Sequence, residues 1–288
     1  MVTTVVLPLA LAVIMFTLGL GLTLEDFKRV IVMPKGVGIG LVNLLLISPF
    51  IAFGLAEVFN LAPEIAVGLV LLGATPGGTL ANFFTHLANG DTALSVTMTA
   101  LSSVVAMITI PLYLGLATER FGNVGDLDEI KMPTVALRTF LITVLPLSIG
   151  LWVHEKIGVR ADALKERLSP VSLILFALVV IAAVISEWGL IEDNFAKVAL
   201  AALSLNLLAM TISFTISRFA RLNDRQSTAI ALELGVHNAT VAIAIAGMLD
   251  VDALMIPAAV YSAFMFITGG LFAKFMHSRN ARGASAIA

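Results

Sequence analysis

The sequence contains no cysteine. Disulfides, thiolate metal sites and thiol chemistry are therefore excluded. Charge is also scarce. Only 12% of the 288 residues are Asp, Glu, Lys or Arg, against 59% hydrophobic, and the mean hydropathy is +1.03. A soluble domain of this length lacks the polar surface to cover so much apolar area, so the chain reads as a polytopic membrane protein with the lipid bilayer as its surroundings. Enzyme signatures are missing: there is no His-Glu-x-x-His and no Gly-x-Ser-x-Gly, and no catalytic residue is expected. Of the four histidines, His86 and His277 fall near span ends and His154 in a charged segment, positions that suit solvation better than catalysis. With a net charge of −2, no nucleic-acid partner is expected, and nothing points to an obligate protein partner. The start lacks a basic stretch and a small-residue cleavage site, so Met1–Val5 reads as part of a first span rather than a removable signal.

What is present is a series of apolar runs long enough to cross a bilayer. They fall at about 3–24, 36–59, 64–88, 92–118, 133–153, 169–189, 194–217, 227–249 and 253–276, nine spans in a single all-α unit covering 1–288. Placing the C-terminus in the cytoplasm puts 13 Lys and Arg inside and 4 outside (Arg120, Lys131, Arg138 and Lys197). The positive-inside tendency then sets the N-terminus outside, in an inner (plasma) membrane. Trp152 and Trp188 lie near span ends, where interfacial anchors belong.

Two spans are interrupted. Span 8 carries Glu233 and then breaks at Gly235-Val236-His237-Asn238. Span 3 breaks at Thr75-Pro76-Gly77-Gly78, where Pro76 removes a helix hydrogen bond. Interrupted spans in both halves of a chain point to the binding site of a secondary transporter. New half-helices are predicted to begin at Thr79 and Ala239, with their positive ends facing the protein centre. No Lys or Arg lies deep in a span, so an anionic substrate must be held by such ends rather than by a cation. The carbonyls freed at the breaks are available to a cation. Spans 3 and 8 are five apart, and an odd offset is what an inverted repeat requires; with nine spans, the first helix of one copy is absent.

Depth gathers one cluster. Asn82 lies about six residues, ~9 Å, from the cytoplasmic end of span 3. Ser95 and Thr99 share a face of span 4 at similar depth, and Glu233 lies equally far into span 8. A carboxylate, an amide oxygen and two hydroxyls are hard donors that suit a small hard cation. Ser and Thr in membrane helices commonly bond only their own backbone, and Pro-Gly-Gly commonly serves close packing, so each taken alone has a bland reading. A carboxylate at membrane depth has few.

At these residues the chain resembles the bile acid:sodium symporter family. The motifs are Ala74 to Asn82, Gly90 to Thr99 and Glu233 to Ala239, with Gly19 to Phe27 similar to a further signature. The resemblance implies a panel domain (spans 3–24, 133–153 and 169–189) and a core domain (36–118 and 194–276), in which two discontinuous helices cross. It implies a first Na+ site at Ala81, Asn82, Ser95, Thr99 and Glu233. A second would use Glu233, Leu234, Val236 and His237, where relatives carry two Gln; His237 stands at one of those places, and the other falls near Asn43-Leu44. His237 is open to three roles: weak ligand, substrate contact or source of pH dependence. The substrate-binding candidates are Thr79, His237, Asn238, Gly78 and Asn43. The expected activity is symport of a small organic anion (bile acid-like, pantothenate-like or a keto acid) with one or two Na+. A proton-coupled carrier and a substrate sensor without transport remain as alternatives.

Overall fold

A computed structural model describes residues 7–122 and 132–285. Lys131 and residues 3–6 of the first expected span lie outside the described residues. Among the described residues the chain is helical throughout, apart from one isolated bridge. Helix α1 (Leu7–Gly19) meets α2 (Leu24–Val32) at a bend of 64°. Then follow α3 (Pro34–Val42), a π-helical turn (Asn43–Ile47) and α4 (Ser48–Val58), which form one long apolar helix. The next pieces are α5 (Pro63–Gly73), α6 (Thr79–Leu87) and the long α7 (Thr92–Phe121). Helix α8 (Met132–Thr139) continues through a second π turn (Phe140–Val144) into α9 (Leu145–Ile157). The chain ends with α10 (Val159–Ser186), α11 (Trp188–Phe219), α12 (Asp224–Gly235), α13 (Ala239–Met248), a 3-10 turn (Asp252–Met255) and α14 (Ile256–Ser285).

Six described helices are long and apolar enough to cross a membrane, or seven if α1 and α2 count as one bent span. The expected spans 3 and 8 are each a pair of short helices, α5 with α6 and α12 with α13. Both restart where the motifs predict, at Thr79 and at Ala239. The connection after the first span differs from a simple charged loop. Residues 24–32 are helical because Thr23 and Asp26 form a capping box, with Thr23 N donating to Asp26 Oδ2 at 2.8 Å. A hydropathy window misses such a polar helix.

The π turn at Asn43–Ile47 has a local cause. Pro49 lacks the N–H that would pair with the Leu45 carbonyl, so the ladder widens by one residue. Tyr113 of α7 donates its hydroxyl to Leu45 O at 2.7 Å and so removes the cost of a stray carbonyl in an apolar setting.

Packing divides the helices. Helix α1 lies against α9 and α10. Its closest approach to α9 is at Gly19 and Gly150, where an added side chain would strike the other helix's backbone. The other helices gather around α12, which runs along α11 and touches α6, α7 and α14. Helix α13 is buried beneath α1, α10 and α14, whereas α6 exposes Thr79, Phe83 and His86 along one face.

The Lys/Arg-rich end is tied by polar contacts. Asp224, at the start of α12, accepts from Arg218 and Arg279, both at 2.7 Å, joining α11, α12 and α14. The 88–91 turn is held by Asn280 Nδ2 to Ala88 O (2.8 Å) and Arg225 Nε to Asn89 O (3.1 Å). Asp91 then caps α7 by accepting from Leu94 N at 3.0 Å, which fixes the rotation that presents Ser95 and Thr99.

Candidate functional site

The two breaks lie against each other. Gly77 and His237 form an antiparallel bridge, and Asn238 N donates to Pro76 O at 2.9 Å. Helix α12 ends at Gly235 and leaves its carbonyl without a helix partner. Tyr261 Oη (2.9 Å) and Asn206 Nδ2 (2.6 Å) both donate to Gly235 O. The tyrosine contact is testable. Tyr261→Phe is expected to lower stability by only about 0.6–1 kcal/mol, since Asn206 still serves the carbonyl. A thermal-shift series would check this, and a collapse of the fold would show that Asn206 is no substitute.

Two residues before its end, α12 presents Glu233, fully buried. Thr99 Oγ1 lies 2.5 Å from Oε1 and Ser95 Oγ lies 3.0 Å from Oε2. The same two hydroxyls lie 3.3 Å and 2.7 Å from Asn82 Oδ1. Each hydroxyl carries one proton, so Ser95 and Thr99 can serve only two of the three acceptor oxygens, Glu233 Oε1, Glu233 Oε2 and Asn82 Oδ1, at a time. Among the described residues, no Lys, Arg or His forms an ion pair with Glu233. The cluster is thus rich in oxygen lone pairs and short of protons, a donor set that fits a small hard cation. No group of three His, Cys, Asp or Glu occurs among the described residues, so a transition-metal site has no support. Gly77 belongs to this cluster. A Cβ there would fall on the Glu233 carboxylate, whereas one at Gly78 would make ordinary contact with Asn238.

The structure therefore brings Asn82, Ser95, Thr99 and Glu233 together, as depth along the spans suggested. Ala81 is buried beside Asn82 and has only its carbonyl to offer. Leu234 and Val236 are buried at the end of α12 and the start of the break. Asn238 caps α13, its Oδ1 accepting from Val241 N at 3.4 Å. Gly78 precedes α6, which has no side-chain cap, and Thr79 is exposed. Asn43 is buried in the π turn beside α12, and its Nδ2 has no partner among the described residues.

His237 is fully engaged. Nδ1 lies 3.3 Å from Thr75 O and Nε2 2.8 Å from Ser48 Oγ. A carbonyl can only accept, so Nδ1 carries the proton and Nε2 accepts from Ser48. The ring also lies 5.9 Å from that of Tyr261. Ser48, Asn206 and Tyr261 escaped the sequence reading. Asn206 alone gave a signal, as an amide in an otherwise apolar span.

Helices of membrane length surrounding two broken helices and a buried carboxylate define an integral, multi-pass membrane protein. Residues 8–194 match the sodium bile acid symporter family, and the chain belongs to it. It is 30% identical over 274 residues to an uncharacterized sodium-dependent transporter, YocS, of Bacillus subtilis, covering 92% of this chain and 81% of that protein. A probable sodium/metabolite cotransporter of rice, BASS2, is 26% identical over 93% of this chain and 63% of its own length. The human ileal sodium/bile acid cotransporter is 29% identical over 82% of this chain and 67% of its own length.

Proposed function

We propose that the chain is a sodium-coupled symporter importing a small organic anion by alternating access. The observation that carries the reading is the oxygen cluster at Glu233, where three acceptor oxygens share two hydroxyl protons. A sodium ion satisfies all of them at once, and a proton on the carboxylate needs no such set of oxygens. The relatives described as sodium-dependent transporters and cotransporters support sodium coupling.

In this reading the six long helices, α1 with α2, and the two broken pairs make nine spans. Helices α1, α8 with α9, and α10 form the panel and α3 to α7 with α11 to α14 form the core, the two together making an inverted repeat short of its first helix. The Lys/Arg-rich ends lie in the cytoplasm, with the C-terminus there and the N-terminus outside. The anion sits at the uncapped start of α6, with Gly78 and Thr79 on one side and His237, Asn238 and Asn43 nearby, held by the half-helix dipole. Sodium at Glu233 orders the crossing and thereby the anion site, so each ligand tightens the other by the same factor.

Proteoliposomes and a panel of radiolabelled acids (bile acids, pantothenate, keto acids) test the reading, each acid with and without an inward sodium gradient. One acid is expected to accumulate only with sodium. Accumulation on a proton gradient in sodium-free medium would replace sodium by protons, and binding without uptake would make the protein a sensor.

A further inference from the structure

The second cation place is where this chain departs from what the resemblance implies. A broken helix can offer a cation its freed carbonyls and adjacent side-chain donors. Here several of those groups are already engaged. Thr75 O receives His237 Nδ1, Pro76 O receives Asn238 N, and Gly235 O receives both Tyr261 and Asn206. His237 accepts from Ser48 through Nε2, so its ring presents no lone pair to an ion. The contrast with the Glu233 cluster is sharp. There, acceptors outnumber protons; at the second break, protein N–H and O–H groups answer the Thr75, Pro76 and Gly235 carbonyls and the His237 ring. Among the described buried side-chain oxygens around this break, Asn206 Oδ1 is without a partner, and a single side-chain oxygen is not a cage for a hard cation.

We propose that this chain binds one coupling cation, at Glu233, and that His237, stapled between Ser48 and Thr75, closes the second place. The staple joins three elements: α4 after its π turn, the break after α5 and the break after α12. It holds the crossing together by protein contacts where an ion would otherwise do so. The inference rests on the sodium reading of Glu233.

Equilibrium binding of ²²Na+ to the purified full chain in lipid nanodiscs tests it without knowledge of the anion. Saturation at one ion per chain, with a Hill coefficient near one, is expected. Two ions per chain would overturn the inference while leaving the Glu233 reading intact; no saturable binding would remove that reading and this one with it. Glu233→Gln is expected to leave no ion bound at the parent's affinity, and an ion still bound at that affinity would reveal a second place and refute the closure. His237→Gln exchanges the fixed ring for an amide oxygen and is expected to raise the count toward two. If it still binds sodium and elutes as a folded species but stays at one, His237 is not what closes the place.

Discussion

Sodium binding is expected to fall by roughly 30-fold to several thousand-fold in Glu233→Gln, with the fold retained. Removing one member of a buried, hydrogen-bonded charge interaction costs about 2–5 kcal/mol, and each 1.4 kcal/mol is tenfold in affinity. Glutamine keeps the shape. Its amide protons also supply what the cluster lacks, since Ser95, Thr99 and Asn82 present oxygens to that position. The empty protein is therefore expected to be no less stable than the parent. Two measurements separate the effects. ²²Na+ binding reports the lost affinity. Thermal unfolding in sodium against potassium reports the linkage, which is about 2.7 kcal/mol for a ligand at 100 times its Kd. The parent should gain stability in sodium and the variant should not. Equal sodium stabilisation of both would remove Glu233 from the ion site.

Gly77→Ala is expected to be nearly as damaging to sodium binding, and Gly78→Ala close to silent. Both residues lie in the same break, so a general demand for flexibility would penalise them alike. The surroundings differ. A methyl group at Gly77 collides with the Glu233 carboxylate itself, and either the carboxylate or the bridge to His237 must move. Overpacking of this kind costs about 1–3 kcal/mol, here concentrated on the ion's main ligand. A methyl at Gly78 meets Asn238 at 3.7 Å, an ordinary contact, on extended backbone that alanine adopts. Sodium titration of the two variants decides the matter. Equal loss in both would mean that the break needs glycine for its backbone alone.

The parts of this structure visible in the sequence are those written in local chemistry. Pro76 and two glycines stop α5, and the polar residues after Gly235 stop α12, so the restarts at Thr79 and Ala239 could be placed to the residue. Ser95 and Thr99 share a helix face by spacing alone, and bilayer depth supplied the third dimension that joined them to Asn82 and Glu233. Other features depend on partners far along the chain. Ser48 is 189 residues from His237, and nothing near either residue announces the pairing. The bend after α1 was hidden because a capped, charged helix has no apolar signal. The capping of Gly235 O by Tyr261 follows from the packing of α14 on α12, which no periodicity encodes.

The two tyrosines have a consequence for observation. Each is held by a carbonyl at an irregular place in a helix, Tyr113 at the π turn and Tyr261 at the end of α12, and the chain has no others. The two tryptophans, Trp152 within α9 and Trp188 at the start of α11, are 61% and 59% exposed, where phenylalanine can replace them with little disturbance. In that background the protein emits only from its phenols, and one of them rests on the crossing itself beside His237. A change in that phenol's emission on adding sodium would report ion occupancy at the crossing in real time and without a label.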